Sequence, residues 1–148
     1  MIRPAIAKDE QAITKCAQQA YARYISRIGR KPAPMIADFS AQIAECKVYV
    51  STDEAHNIEG FIVFYAEDQY IHLENVAVFP QKCGRGIGKK LIDFCEQTAL
   101  KSGLNAVQLC TNEKMTENLS IYSRLGYIEV DRRTEEGFNR VYFEKVLV

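Results

Sequence analysis

The stretch from Asn75 to Leu91 constrains this chain more than any other. Asn75 to Phe79 is a short apolar run that reads as a buried strand, Gly84, Gly86 and Gly88 alternate through the turn that follows, and a helix opens at Gly88. Glycine takes positive φ without a Cβ clash, so such a turn lets the backbone approach a ligand closely. The helix that follows aims free N–H groups and the positive end of its dipole at the same place. A phosphate-holding turn is the leading reading, and Arg85, Lys89 and Lys90 add positive charge around it. On this stretch alone, a tight turn whose glycines serve geometry only stays open.

That positive charge is local, because nineteen Lys and Arg are balanced by nineteen Asp and Glu. No global field draws nucleic acid or an anionic membrane surface, and neither is expected as a partner. With 148 residues, 47% of them apolar, a single domain is expected over residues 1–148, with a core that needs no cofactor to hold it together. The first ten residues lack the apolar run of a signal peptide, and no later run approaches the ~18 apolar residues of a membrane span. A soluble, cytoplasmic protein is expected. Cys16, Cys46, Cys83, Cys95 and Cys110 are odd in number and form no CxxC pair, and the only histidines are His56 and His72. Neither a disulfide framework nor a metal site is expected. Four of the cysteines read as small core residues, and Cys83, in the glycine turn, is the candidate for reactivity.

In chain order, Ile2 to Ile6 reads as a strand, and Ile13, Cys16, Ala17, Ala20, Tyr21, Tyr24 and Ile28 recur at helical spacing up to Gly29. Pro32 and Pro34 break that helix, and Met35, Ile36, Phe39 and Ile43 begin a second. Arg27, Arg30 and Lys31 cluster at the break, either as a solvated corner or as a rim for an anionic substrate. Lys47 to Thr52 and Glu59 to Ala66 read as an antiparallel hairpin. From Tyr70 to Phe79, strict alternation puts His72, Glu74, Val76 and Val78 on one face, with Ile71, Leu73, Asn75 and Ala77 on the other. Gly88 to Ser102 is a helix stopped by Gly103, Ala106 to Thr111 a strand, and Thr116 to Leu125 a short helix closed by Gly126. Two strands, Tyr127 to Arg133 and Arg140 to Leu147, end the chain. The order β-α-α-β-β-β-α-β-α-β-β gives an α/β fold, a mixed sheet with helices on both faces. A dinucleotide-binding fold is disfavoured, since the turn is GxGxG rather than GxGxxG and no βα unit precedes it. A P-loop would need Gly at Cys83 and Ser or Thr at Lys90.

Val76-Ala77-Val78-Phe79-Pro80 followed by Gly84-Arg85-Gly86-Ile87-Gly88 resembles the pyrophosphate loop, R/Q-x-x-G-x-G/A, of the GCN5-related N-acetyltransferase (GNAT) family. One helix and one strand later, Asn118 to Tyr127 is similar to that family's late N-x-x-x-Y-x-x-x-G-F/Y segment. The resemblance covers essentially the whole chain. It departs at Cys83, which stands where the family usually has Arg or Gln, while a shifted reading puts Gln81 in that role.

The resemblance implies a central, mostly antiparallel sheet and acetyl-CoA as co-substrate. Its diphosphate would lie on the backbone of Cys83, Gly84, Arg85, Gly86, Ile87, Gly88 and Lys89, and its pantetheine arm along Val76, Ala77 and Val78. Asn118 would orient it near the thioester, and Asn112 either assists or is an ordinary turn residue. The resemblance further makes Tyr122 the acid that protonates the departing sulfur and Glu74 or His72 the base, with Glu74 first. The plain alternatives are a core aromatic for Tyr122 and an exposed polar face for the other two. Direct transfer leaves Cys83 no nucleophilic part.

The expected partner is a small-molecule amine, with Tyr24, Arg27 and Arg30 as substrate residues and Arg132 and Arg133 converging on the same mouth. An α-amino group with a pKa of ~8 loses its proton near neutral pH at a cost of about 1 kcal/mol, against about 4 to 5 for a lysine-type amine. An amino acid or related carboxylate-bearing amine is therefore expected. A protein or peptide acceptor, a non-catalytic acyl-CoA sensor and a homodimer remain as alternatives.

Overall fold

A computed structural model describes residues 1–147. The elements are β1 (Ile2–Pro4), α1 (Glu10–Tyr21), α2 (Tyr24–Ile28), α3 (Phe39–Ala44), β2 (Val48–Thr52), β3 (Ile58–Ala66) and β4 (Ile71–Val78). Then follow α4 (Ile87–Lys101), β5 (Ala106–Asn112), α5 (Thr116–Arg124), β6 (Ile128–Glu135) and β7 (Phe138–Val146). The strands form one sheet in the order β1-β2-β3-β4-β5-β7-β6. Among the described residues only β4 and β5 pair in parallel. No helix among the described residues is long and apolar enough to cross a membrane.

Each face of the sheet buries its own apolar layer. Ile13, Cys16 and Ala17 of α1 pack on Val48, Val50, Phe61 and Val63, whereas Leu91, Ile92 and Cys95 of α4 pack on Ile62, Phe64, Leu109 and Phe143. Successive residues of β3 thus serve opposite layers, as the pleat requires. The helix ends follow glycine chemistry: α2 stops at Gly29 (φ 89°), α4 before Gly103 (φ 77°) and α5 before Gly126 (φ 95°). The first predicted helix divides at Ala22–Arg23, where the Ile25 N–H bonds to the Ala22 carbonyl, a tighter bond than the α-helical one.

One expectation fails, and its failure shapes the site. β4 does not alternate strictly, because Val63 pairs with Asn75 while Phe64 pairs with Leu73, leaving Glu74 as the extra residue of a β-bulge. Beyond the bulge the faces exchange. Ile71 and Leu73 join the α4 layer, Asn75 and Ala77 turn to the α1 side, and Val76 and Val78 now pack against the α4 layer. His72 and Glu74 therefore do not share a face with Val76 and Val78, as a regular strand would have had it.

Candidate active site

β4 and β5 are hydrogen-bonded only from Ile71–Leu73 to Val107–Leu109. β5 then follows β7 as far as Asn112 opposite Arg140, so the strands splay and Val76 to Val78 keep a partner, β3, on one side only. A cleft of about 780 Å³ fills the wedge, lined by Val76, Ala77, Val78, Asn118 and Tyr122 and, at its far end, by the glycine turn.

Gly84 (φ 83°) and Gly86 (φ 77°) are left-handed, and a Cβ on either would meet nothing within 4 Å. Backbone conformation, not space, demands glycine there. The path they set leaves the N–H groups from Gly84 to Lys89 without an acceptor among the described residues, all at the start of the fifteen-residue α4. Cys83, Ile87, Gly88 and Lys89 also line the cleft, whereas the exposed Arg85 side chain does not. The Cys83 thiol leans back on the Phe79 carbonyl at 3.6 Å.

A second cavity of about 310 Å³ lies beside the first, and the two share Tyr21, Val76, Asn118 and Tyr122. His72, Glu74 and Asn75 form its β4 wall, Pro32 and Pro34 another, and Phe138 and Arg140 a third. The bulge is held from α1: the Tyr21 hydroxyl donates to Asn75 Oδ1 at 2.7 Å, and Asn75 Nδ2 donates to the Pro34 carbonyl at 3.0 Å. Glu74 accepts a hydrogen bond from Gln42 Nε2 of α3. Burial pushes the His72 imidazole below its usual pKa, against the pull of Glu74 and Glu67, and its ring lies 5.4 Å from that of Tyr65. The Tyr65 phenol is pushed up to about 12 by burial and by Glu74. Burial also raises the Tyr122 phenol well above its usual value, so it keeps its proton. The Tyr122 ring packs on Tyr127 and Phe143, and its hydroxyl has no hydrogen-bond partner among the described residues.

The remaining predicted residues scatter. The Asn112 side chain accepts the Lys114 N–H at 2.9 Å, which is turn chemistry, although the residue also lines the smaller cavity. Tyr24 lines the larger cleft. Arg27 forks onto Glu117 at 2.7 and 3.1 Å, and Arg30 donates to the Glu136 carbonyl while stacking 3.6 Å over the Phe138 ring. Arg132 and Arg133 turn to Glu129 and Asp131. The four arginines expected at one mouth are not gathered there, because each finds an acceptor close by. Sequence reasoning missed Tyr21, Gln42 and Arg140. For Arg140 a signal existed, since alternation in β7 opposes it to the core residues Val141 and Phe143.

A sheet that splays over a glycine turn at a helix N-terminus, with a second cavity meeting the cleft at a protonated tyrosine, is built to bring an acyl carrier to a nucleophile. The model of the acetyltransferase (GNAT) domain matches residues 44–129, and the chain belongs to that family. It is an N-acetyltransferase with acetyl-CoA as co-substrate. PaiA N-acetyltransferase from Thermoplasma acidophilum, solved with coenzyme A, superposes with a TM-score of 0.80 at 16% identity, over 99% of this chain and 98% of its own. Ard1 from Thermoplasma volcanium gives 0.79 at 18% identity, over 100% and 97%. The NatC complex bound to Gag peptide and CoA gives 0.75 at 17% identity, over 100% and 98%. At these identities the likeness is one of fold. A search of the curated proteins found no match.

Proposed function

We propose that this protein transfers acetyl directly from acetyl-CoA to the primary amine of a small molecule held in the 310 Å³ cavity. The observation that carries this reading is the meeting of two cavities at Tyr21, Val76, Asn118 and Tyr122. Acetyl-CoA supplies the activated acyl group as a thioester. The unpaired N–H groups from Gly84 to Lys89 are what its diphosphate requires, and the free edge of Val76 to Val78 suits the amides of its pantetheine arm.

Glu74 takes the proton that the amine gives up, with neutral His72 beside it, and backbone N–H groups at Val76 to Val78 face the oxygen that gains charge. As the N–C bond forms and the C–S bond breaks, the Tyr122 hydroxyl gives its proton to the leaving sulfur. Asn118, at the junction, orients the donor. Tyr24 acts from the donor side, and Arg27 and Arg30 act from the rim by fixing α2 to α5 and to the β6–β7 turn.

A small acceptor is favoured over a peptide by the Arg30 contact, which joins the segment carrying Pro32 and Pro34 to the start of β7 at Phe138, two walls of the cavity. The test is free-thiol release from acetyl-CoA against amino acids, polyamines, aminoglycosides and peptides. Turnover with small amines is expected, and turnover with peptides alone would defeat the reading.

A further inference from the structure

Arg140 is the cation that lines the acceptor cavity, and no hydrogen bond commits it among the described residues. Its side chain is 21% exposed, and among the described residues its guanidinium, with five N–H donors, makes no hydrogen bond. Arg27, Arg30, Arg132 and Arg133 each make at least one. Its acidic neighbours hold it loosely. Glu135 stands 3.9 Å away and accepts a hydrogen bond from the Tyr142 hydroxyl, while Glu136 stands 4.0 Å away and is 82% exposed. A guanidinium that lines a cavity, lies 5.7 Å over the Phe138 ring, and is only loosely paired to two carboxylates keeps its fork available for a planar anion.

Across the cavity stands Glu74 on β4. β5 lies between β4 and β7, and because β4 and β5 splay past Leu73 and Leu109 the backbones at Glu74 and Arg140 stand more than two strand spacings, about 10 Å, apart. Both side chains line the cavity in that gap, so one small molecule can meet Glu74 with its ammonium and Arg140 with its anion. With Glu135 and Glu136 already near Arg140, a singly charged planar carboxylate suits the site better than a phosphate dianion.

Resting on the acetyl-transfer reading above, we infer that the acceptor is an amino-carboxylate whose carboxylate docks on Arg140 and whose amine faces Glu74. The cavity then reads both ends of its substrate, and an amine without the carboxylate leaves Arg140 unanswered.

The test pairs each acid with the amine left by removing its carboxylate: L-alanine with ethylamine, L-phenylalanine with 2-phenylethylamine, and γ-aminobutyrate with propylamine. In at least one pair the wild-type protein acetylates the acid with kcat/KM about 10²-fold higher than the amine. Arg140→Gln collapses that ratio to below about 10-fold, and Arg140→Lys keeps an intermediate value. In a thermal-shift titration the preferred acid raises the Tm of the wild-type protein and not that of Arg140→Gln. Equal use of acid and amine in every pair by the wild-type protein overturns the inference while the acetyl-transfer reading stands. Acetylation of peptides with no turnover in any pair overturns both.

Discussion

On the proposed reading, the groups that meet a ligand along the donor cleft are main-chain N–H groups of one contiguous turn and the free edge of one strand. Around the acceptor cavity they are side chains brought together from α1, β4, β5, α5 and β7. The donor half is therefore written in backbone geometry, and glycine is the residue it depends on. The acceptor half is written in side-chain identity, placed by a bulge, a sheet register and a short helix. A change that leaves the chain path intact spares the first and alters the second.

The largest effect is expected where backbone geometry is broken. Gly86 holds φ at 77°, and valine, with its branched Cβ, takes that conformation at high cost. Gly86→Val should abolish acetyl-CoA binding by calorimetry while circular dichroism shows the fold retained. Unchanged affinity in a folded variant would remove the turn from the donor site. Next comes the junction of the two cavities. Tyr122→Phe should lower kcat on the order of 10²-fold, with acetyl-CoA affinity changing far less, and near wild-type turnover would leave Tyr122 a packing residue.

A smaller effect is expected from the acceptor wall alone. Among the described residues Gln42 Oε1 is buried without a partner while Nε2 of the same amide donates to Glu74, so there that amide is oriented by Glu74. Gln42→Leu should lower kcat about 10-fold, the worth of one hydrogen bond to a charged group. If Gln42 acts through Glu74, Gln42→Leu should cost little more in a Glu74→Gln background, and full additivity of the two losses would separate them.

The smallest effect concerns stability. Burial lowers the His72 pKa from 6.5, so the unfolded chain binds that proton more readily than the native one. Its contribution to stability is complete above about pH 6.5 and declines as pH falls through the lowered native value. Denaturant unfolding between about pH 5 and 7.5 should show this decline in the wild-type protein and a flatter profile in His72→Gln. The other histidine, His56, is exposed. An identical slope in the variant would assign the pH dependence elsewhere.

By itself the sequence determined the order of elements and the turn that follows β4. Gly84, Gly86, Gly103 and Gly126 lie close in sequence to the elements they end or begin, and a left-handed residue leaves the same mark in any fold. The helices around the apolar spacing of Leu91, Cys95 and Ala99 and around Tyr122 were legible for a similar reason, because helical periodicity is local. The face that Glu74 and Asn75 present was not. It depends on Val63 taking Asn75 and Phe64 taking Leu73 as partners, a register set by two packed layers and not by β4 itself. Nor was the choice among arginines. Arg27 and Arg30 find acceptors on segments distant in the chain and Arg132 and Arg133 on their own strand, whereas among the described residues Arg140 meets none within hydrogen-bond reach and lines the cavity. Which charges remain free is a property of the folded neighbourhood, since a pair between residues far apart in the chain forms only when the sheet has placed both.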